Sequence, residues 1–300
     1  MRGVLIAVLL AGCGDHEVRL DGPHHQYVMS ELRIPSTNTG ARADGLDLDG
    51  DRAVDNQLGM VFGALKSLGL GVDVTAQEAV LRGGLILLAD LQTVDFATTE
   101  LSGLTTYLGR DPMPAPCLDP TRLETCGQHV LGGGRFSIEP GSESDHGTAP
   151  IEEGVFVVDM GLLPLEIALD VDAPLRLDLQ AARIRFTSIA QDGFTGVIGG
   201  LITQDDVDRV VVPQAAREIA RIVGAECAQP TGSPPCGCID GTRADLLQEY
   251  FDDNNSCEVT LAEVATSGVV ESLLQPDVRT KGIQGLSFGV GVTFRSATFE

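Results

Sequence analysis

Leu175-Arg176-Leu177-Asp178-Leu179 and Ile184-Arg185-Phe186-Thr187 decide the fold class of this chain. In both stretches apolar and polar residues alternate with a period of two. On an extended backbone this puts leucine, isoleucine and phenylalanine on one face and arginine, aspartate and threonine on the other. A helix would scatter the same residues around its circumference. Outward from them, Leu85 to Phe96, Gly103 to Leu108, Gly154 to Met160, Leu165 to Val171 and Ala182 to Ile189 are further short apolar or alternating runs, separated by Gly, Pro, Asp and Ser. Residues 83–202 therefore read as a β-rich core. Gln26 to Ile34 is a candidate first strand. Leu286 to Phe299, where Ser, Gly and Thr alternate with apolar residues, makes residues 284–300 a C-terminal strand returning to the sheet.

The flanking segments carry helical periodicity. Asn56 to Leu68 has an apolar face, with Asp55 as its expected cap, and Thr75 to Leu81 is a second short helix within residues 44–82. Thr203-Gln204-Asp205-Asp206 resembles an N-terminal capping box with Asp in place of the usual Glu. Val207, Val210, Val211, Ala215, Ile219, Ile222 and Val223 then form a stripe that Pro213 is expected to kink or divide. A cysteine-rich loop, Glu226 to Gly241, and two further helices complete residues 203–283. The expected class is α+β, an antiparallel β-sandwich or curved sheet with a packed helical region.

Composition narrows the function. The 300 residues are 43% hydrophobic, which favours a packed globule. Lys and Arg number 20 against 43 Asp and Glu, a formal net charge of −23. Such a chain repels phosphate backbones, so no nucleic-acid partner is expected, and divalent cations or basic surfaces are favoured instead.

Two acidic loops carry the metal chemistry. In Asp252-Asp253-Asn254-Asn255-Ser256-Cys257-Glu258-Val259-Thr260-Leu261-Ala262-Glu263, oxygens recur at alternate positions and a carboxylate closes the loop at position twelve. The layout resembles the EF-hand calcium loop. The resemblance implies Asp252, Asn254, Ser256, the Glu258 carbonyl, Thr260 and Glu263 as Ca2+ ligands, Val259 as the packing residue, and Arg243 to Phe251 and Leu261 to Leu274 as the entering and exit helices. Cys257 departs from it, standing where the motif uses Gly for a left-handed turn. A disulfide to Cys236 or Cys238 would hold that turn. With two charged ligands, affinity is expected in the range of about 0.1–1 mM. The earlier run, Asp47-Leu48-Asp49-Gly50-Asp51-Arg52-Ala53-Val54-Asp55-Asn56-Gln57-Leu58, is similar to the Asp-rich loops of dockerins and thrombospondin-type calcium repeats. It offers Asp47, Asp49, Asp51 and Asp55 at positions 1, 3, 5 and 9. Arg52 replaces the Gly and Leu58 the closing Glu, so a last ligand is expected from water, Asp44 or another segment.

The N-terminus bears on location. Arg2, the apolar run Val4 to Leu10 and Leu10-Ala11-Gly12-Cys13 resemble the leader and lipobox of a bacterial lipoprotein precursor. The resemblance implies cleavage of residues 1–12, a lipid on Cys13, and a tether within residues 13–43 that includes His16, His24 and His25. Attachment is then to the cell envelope, in the outer membrane, through that lipid. Six further cysteines fit export and three disulfides. Cys117 and Cys126 are expected to pair locally. Cys236 and Cys238 are expected to reach Cys227 and Cys257 in one of two arrangements. Their spacing lacks the two-residue knuckles of common zinc sites. Lipobox, acidic loops and cysteine-rich stretch together resemble the large predicted lipoproteins of myxobacteria and related bacteria.

No catalytic signature emerges. Gly-x-Ser-x-Gly, His-Glu-x-x-His, Walker and dinucleotide motifs are lacking. Ser142, Ser144, Asp145 and His146 share one polar loop, a poor setting for a held triad. The expectation is a non-enzymatic calcium-binding envelope lipoprotein with a structural or binding role toward an envelope protein or polysaccharide. The alternative is an envelope hydrolase with unrecognised catalytic residues.

Overall fold

The computed structural model describes residues 20–67, 72–170, 173–227 and 236–300. The leader, the lipobox, Cys13 and His16 lie outside these residues. In chain order the main elements are β1 (His24–Arg33), α1 (Asn38–Ala43), α2 (Gln57–Ser67), α3 (Val72–Arg82), β2 (Leu87–Gln92), β3 (Thr99–Met113), β4 (Gly134–Ile138), β5 (Gly147–Glu152), β6 (Val155–Asp159), β7 (Leu162–Asp170), β8 (Ala173–Ala190) and β9 (Gly193–Ile202). There follow α4 (Gln204–Asp206), a π-helical turn (Val207–Val211), α5 (Val212–Glu226), α6 (Arg243–Phe251), α7 (Leu261–Thr266), α8 (Gly268–Leu273), β10 (Val278–Thr280) and β11 (Ile283–Phe299).

The eleven strands among the described residues belong to one sheet, and that sheet closes on itself. Antiparallel pairings run β1–β2–β3–β5–β6–β8–β9–β11 and return from β11 to β1. The expected curved sheet is thus carried to closure. The two alternating stretches form the single 18-residue strand β8. Ala181, at φ 45°, and a register shift between Gln180 and Arg183 insert a bulge between them. That extra residue lets odd-numbered Leu175, Leu177 and Leu179 share the inner face with even-numbered Ile184 and Phe186.

Inward side chains form an apolar interior. Phe156 faces Ile151 and Phe186 in register, and Phe294 faces Met29 and Phe194. Phe194 stacks on Phe294 with ring centroids 4.8 Å apart, and Tyr27 meets Phe194 edge-on at 4.7 Å. The Tyr27 hydroxyl donates to the Ala190 carbonyl at 3.0 Å. Gly196 makes room for these rings, since a Cβ there would lie 2.6 Å from the Phe186 ring and 2.3 Å from the Arg185 carbonyl. Outward positions of β6 and β8 carry Asp159, Arg176, Asp178, Arg183 and Arg185. A lipid-facing barrel would need an apolar band there.

The helices continue this core. Leu58, Val61 and Phe62 of α2, Ala76, Ala79 and Val80 of α3, and Ile219, Ile222 and Val223 of α5 join the same buried cluster. A second layer covers part of the ring from outside: β4 and the turn Gln128–Val130 bury Val28, Ile86 and Leu88 under Val130, Phe136 and Phe299.

Several boundaries differ from expectation. Asn56, not Asp55, caps α2, through its Oδ1 and the Gly59 N–H. The second helix is longer than Thr75 to Leu81. Thr203 caps α4 as expected, and Pro213 acts through the π-turn before it, because a residue without an N–H breaks the ladder one turn upstream. The exit helix divides at Ser267, whose side chain turns to accept the Val269 N–H and starts α8. His24 and His25 belong to β1 rather than a tether. His24 Nδ1 is 3.0 Å from Asp90, and the His25 ring lies edge-on to Phe96.

Candidate functional site

The first acidic loop folds back on itself through its own carboxylates. Asp47 accepts the N–H groups of Gly50 (2.7 Å) and Arg52 (3.0 Å), Asp49 that of Asp51, Asp51 that of Ala53, and Asp55 that of Leu48. Leu46 and Asp55 form a β-bridge that closes the loop's neck. These bonds bring carboxylate oxygens of Asp47, Asp49 and Asp55 within 4.8 Å of one another. Asp51 stays outside that group and is exposed.

Asn56 locks this loop onto the ring. Its Nδ2 donates to the carbonyls of Ala41, Asp44 and Gly289, and its Oδ1 accepts the N–H groups of Gly59 and Gly289. The side chain is 1% exposed. Gly289 of β11 permits the approach, because a Cβ there would lie 2.4 Å from the Asp44 carbonyl. Leu46 and Leu48 pack on Leu201 and Val278. Arg183 donates to the Asp47 carbonyl and also pairs with Asp159 at 2.6 Å. In the sequence Asn56 stands both in the acidic loop and at the start of a helix, and the amide directly after the last loop carboxylate is the one signal of this locking role.

Charge accumulates here. Burial pushes the Asp55 carboxyl above its usual range; the Leu48 N–H opposes this, while Asp49, Asp277 and Asp51 add to it. Asp277 comes from the far side of the sequence and is held by the Ser287 N–H and hydroxyl. Asp44, one of the expected sources of a last ligand, is instead paired with Arg33 at 3.3 Å. Leu58, at position twelve, is buried in the core and offers no oxygen. Val54, at the apolar position, is 42% exposed.

The second loop repeats the backbone logic. Asp252 accepts the N–H groups of Ser256 and Cys257, both at 2.8 Å. In each loop the first residue thus holds the amide of the sixth, and that sixth residue is left-handed without being glycine: Arg52 at φ 74° and Cys257 at φ 65°. Val259 is buried, as expected of the packing residue. Thr260 and Glu263 form a capping box at the start of α7, using Glu263 Oε2. Glu263 Oε1 is buried without a hydrogen-bond partner. Asp252 and Glu263 are 7% and 9% exposed, whereas Asn254 and Glu258 are exposed. The Ser256 hydroxyl donates to the Glu258 carbonyl at 3.2 Å, occupying an expected ligand.

The disulfides resolve the open pairing. Cys117 joins Cys126, Cys227 joins Cys238, and Cys236 joins Cys257. The sulfurs of Cys236 and Cys257 lie beside Asp252, but bonded to each other they are not metal ligands. Among the described residues no β-bridge links the two loops.

The hydrolase candidates are engaged structurally. Ser142 and Ser144 are buried, and their hydroxyls accept the N–H groups of Leu108 and Thr106. Asp145 accepts the Leu162 N–H, and His146 Nδ1 faces the Thr105 hydroxyl at 3.0 Å. No serine–histidine contact forms among them. A cleft of about 460 Å³ lies between the π-turn and α7–α8, with Asp208 and Glu271 among its lining residues. Comparison with protein-family models, with curated proteins and with solved structures finds no match to this chain.

Proposed function

We propose that this chain is a calcium-binding lipoprotein of the bacterial cell envelope, held by a lipid on Cys13 and serving a structural or binding role toward an envelope protein or polysaccharide. The observation that carries the calcium reading is the convergence of Asp47, Asp49 and Asp55 within 4.8 Å in a loop fixed to the ring by Asn56. Carboxylates gathered this closely repel one another, and a hard divalent cation relieves that repulsion with the oxygen ligands it prefers. Glu263, twelfth residue of the loop that Asp252 opens, keeps one buried oxygen without a hydrogen-bond partner, which supports a second site of EF-hand type. Calcium would order both loops against the sheet. The envelope assignment rests on Leu10-Ala11-Gly12-Cys13 and the three disulfides.

Calorimetric titration of the chain beginning after Cys13 tests the calcium reading. Two binding events at millimolar calcium are expected, with Asp49→Ala removing one and Asp252→Ala the other. Absence of binding heat together with an unchanged melting curve across the series would refute it. Incorporation of labelled fatty acid in a bacterial host, abolished by Cys13→Ser, tests the anchor.

A further inference from the structure

The turn at Cys257 has no glycine to make it easy. A left-handed φ of 65° is disfavoured for any side chain with a Cβ, and here it sits where the loop reverses to point its first oxygens inward. Two restraints hold it. One is the Asp252 carboxylate on the Cys257 N–H. The other is the disulfide to Cys236, whose neighbour but one, Cys238, is bonded to Cys227 directly after α5. Gln248 of α6 lies against Cys236 Sγ and donates to Asp252 at 3.2 Å. The cystine and the first loop carboxylate therefore share one set of contacts, and Cys257 is fully buried. Glu263, which closes the loop in sequence, keeps one buried carboxylate oxygen without a hydrogen-bond partner, the one independent observation on this loop that favours a cation.

We infer that the Cys236–Cys257 disulfide and calcium in the Asp252–Glu263 loop are energetically coupled, so that the disulfide sets calcium affinity and bound calcium protects the disulfide from thiols. This rests on the calcium reading above. Coupling between two events at one turn is reciprocal: whatever affinity is lost on breaking the bond reappears as protection of the bond by calcium. In the chemical step a dithiol supplies two electrons and two protons. The S–S bond breaks, thiols form at Cys236 and Cys257, and the dithiol closes to its own disulfide. Because both sulfurs are buried, attack requires local opening of the loop, which a bound cation suppresses.

The experiment uses the full chain in detergent micelles, with dithiothreitol as reductant and calcium or magnesium chloride as the added ion. Alkylation and peptide mapping follow each disulfide in time. Because reduction proceeds through local opening that a ligand of the closed loop makes rarer, saturating calcium is expected to slow reduction of Cys236–Cys257 by about tenfold or more, with Cys117–Cys126 unchanged as the internal reference. In calorimetry, Cys236→Ser/Cys257→Ser is expected to bind calcium at this loop about tenfold more weakly, whereas Cys236→Ser/Cys257→Gly recovers most of the affinity because glycine accepts the turn unaided. Equal reduction rates with and without calcium, in a protein whose Asp252-dependent binding heat is present, would overturn the coupling and leave the calcium reading standing. Absence of that heat from the oxidised protein would overturn the coupling together with the calcium reading of this loop, leaving the Asp47–Asp55 loop to its own test.

Discussion

Asn56 spends its whole amide on backbone groups of three different segments, the α1 end, the α2 start and strand β11. Truncation to alanine leaves buried donors and acceptors without partners, so Asn56→Ala should cost roughly 2–4 kcal/mol in denaturant unfolding. Asn56→Asp should be worse despite its shape, because a carboxylate cannot donate to the three carbonyls. His129 shows the opposite economy. It is fully buried against Phe136, and burial lowers its pKa to about 4, a shift that the Val80 backbone opposes. The folded state thus favours the neutral ring. Its contribution is complete above the unfolded value near 6.5 and is lost as pH falls through 6.5 toward 4, at most on the order of 3 kcal/mol. His129→Phe should flatten the acid limb of a stability–pH curve; an unchanged limb would place the acid sensitivity elsewhere.

At the scale of elements, legibility followed side-chain contrast. Strand β8 could be read because arginine and leucine alternate, although the bulge at Ala181 that aligns its two halves leaves no mark in composition. Strand β9, Gly193–Ile202, carries four glycines, and glycine announces neither face. One of them, Gly196, leaves the space that the Phe186 ring of β8 takes up. Gly196→Ala should therefore lose roughly 2–3 kcal/mol, read as a lower denaturant midpoint at unchanged slope. The entering helix Arg243–Phe251 was legible to the residue, since its cap Thr242 and the loop carboxylate Asp252 bracket it. The break at Ser267 was not, because Ser-Gly within an apolar stripe is also compatible with a continuous helix. The spacing of both acidic loops was visible in the sequence, yet only the fold separates Asp51 from Asp47, Asp49 and Asp55. The pairing of Asp44 with Arg33 likewise depends on strand β1.

For the whole molecule, the calcium binding proposed above should act as a mass-action stabiliser. At ten times the dissociation constant, one site adds about 1.4 kcal/mol, a rise in melting temperature of a few degrees that Asp49→Ala should halve if both sites respond. Closure of the sheet lay beyond sequence reading for a simple reason: it depends on β1 meeting β11, elements separated by nearly the full chain. That meeting has a consequence in time. Strand β1 can pair with β2 once residue 92 is made, but its other flank stays open until residues 283–299 arrive. Non-local pairings of this kind delay the productive step of folding. A chain truncated after residue 282 should remain protease-sensitive however long it is incubated. In a protein threaded across a membrane from its amino end, the opening strand would be held waiting for the closing one, and the interval between them is when a chaperone would find something to hold.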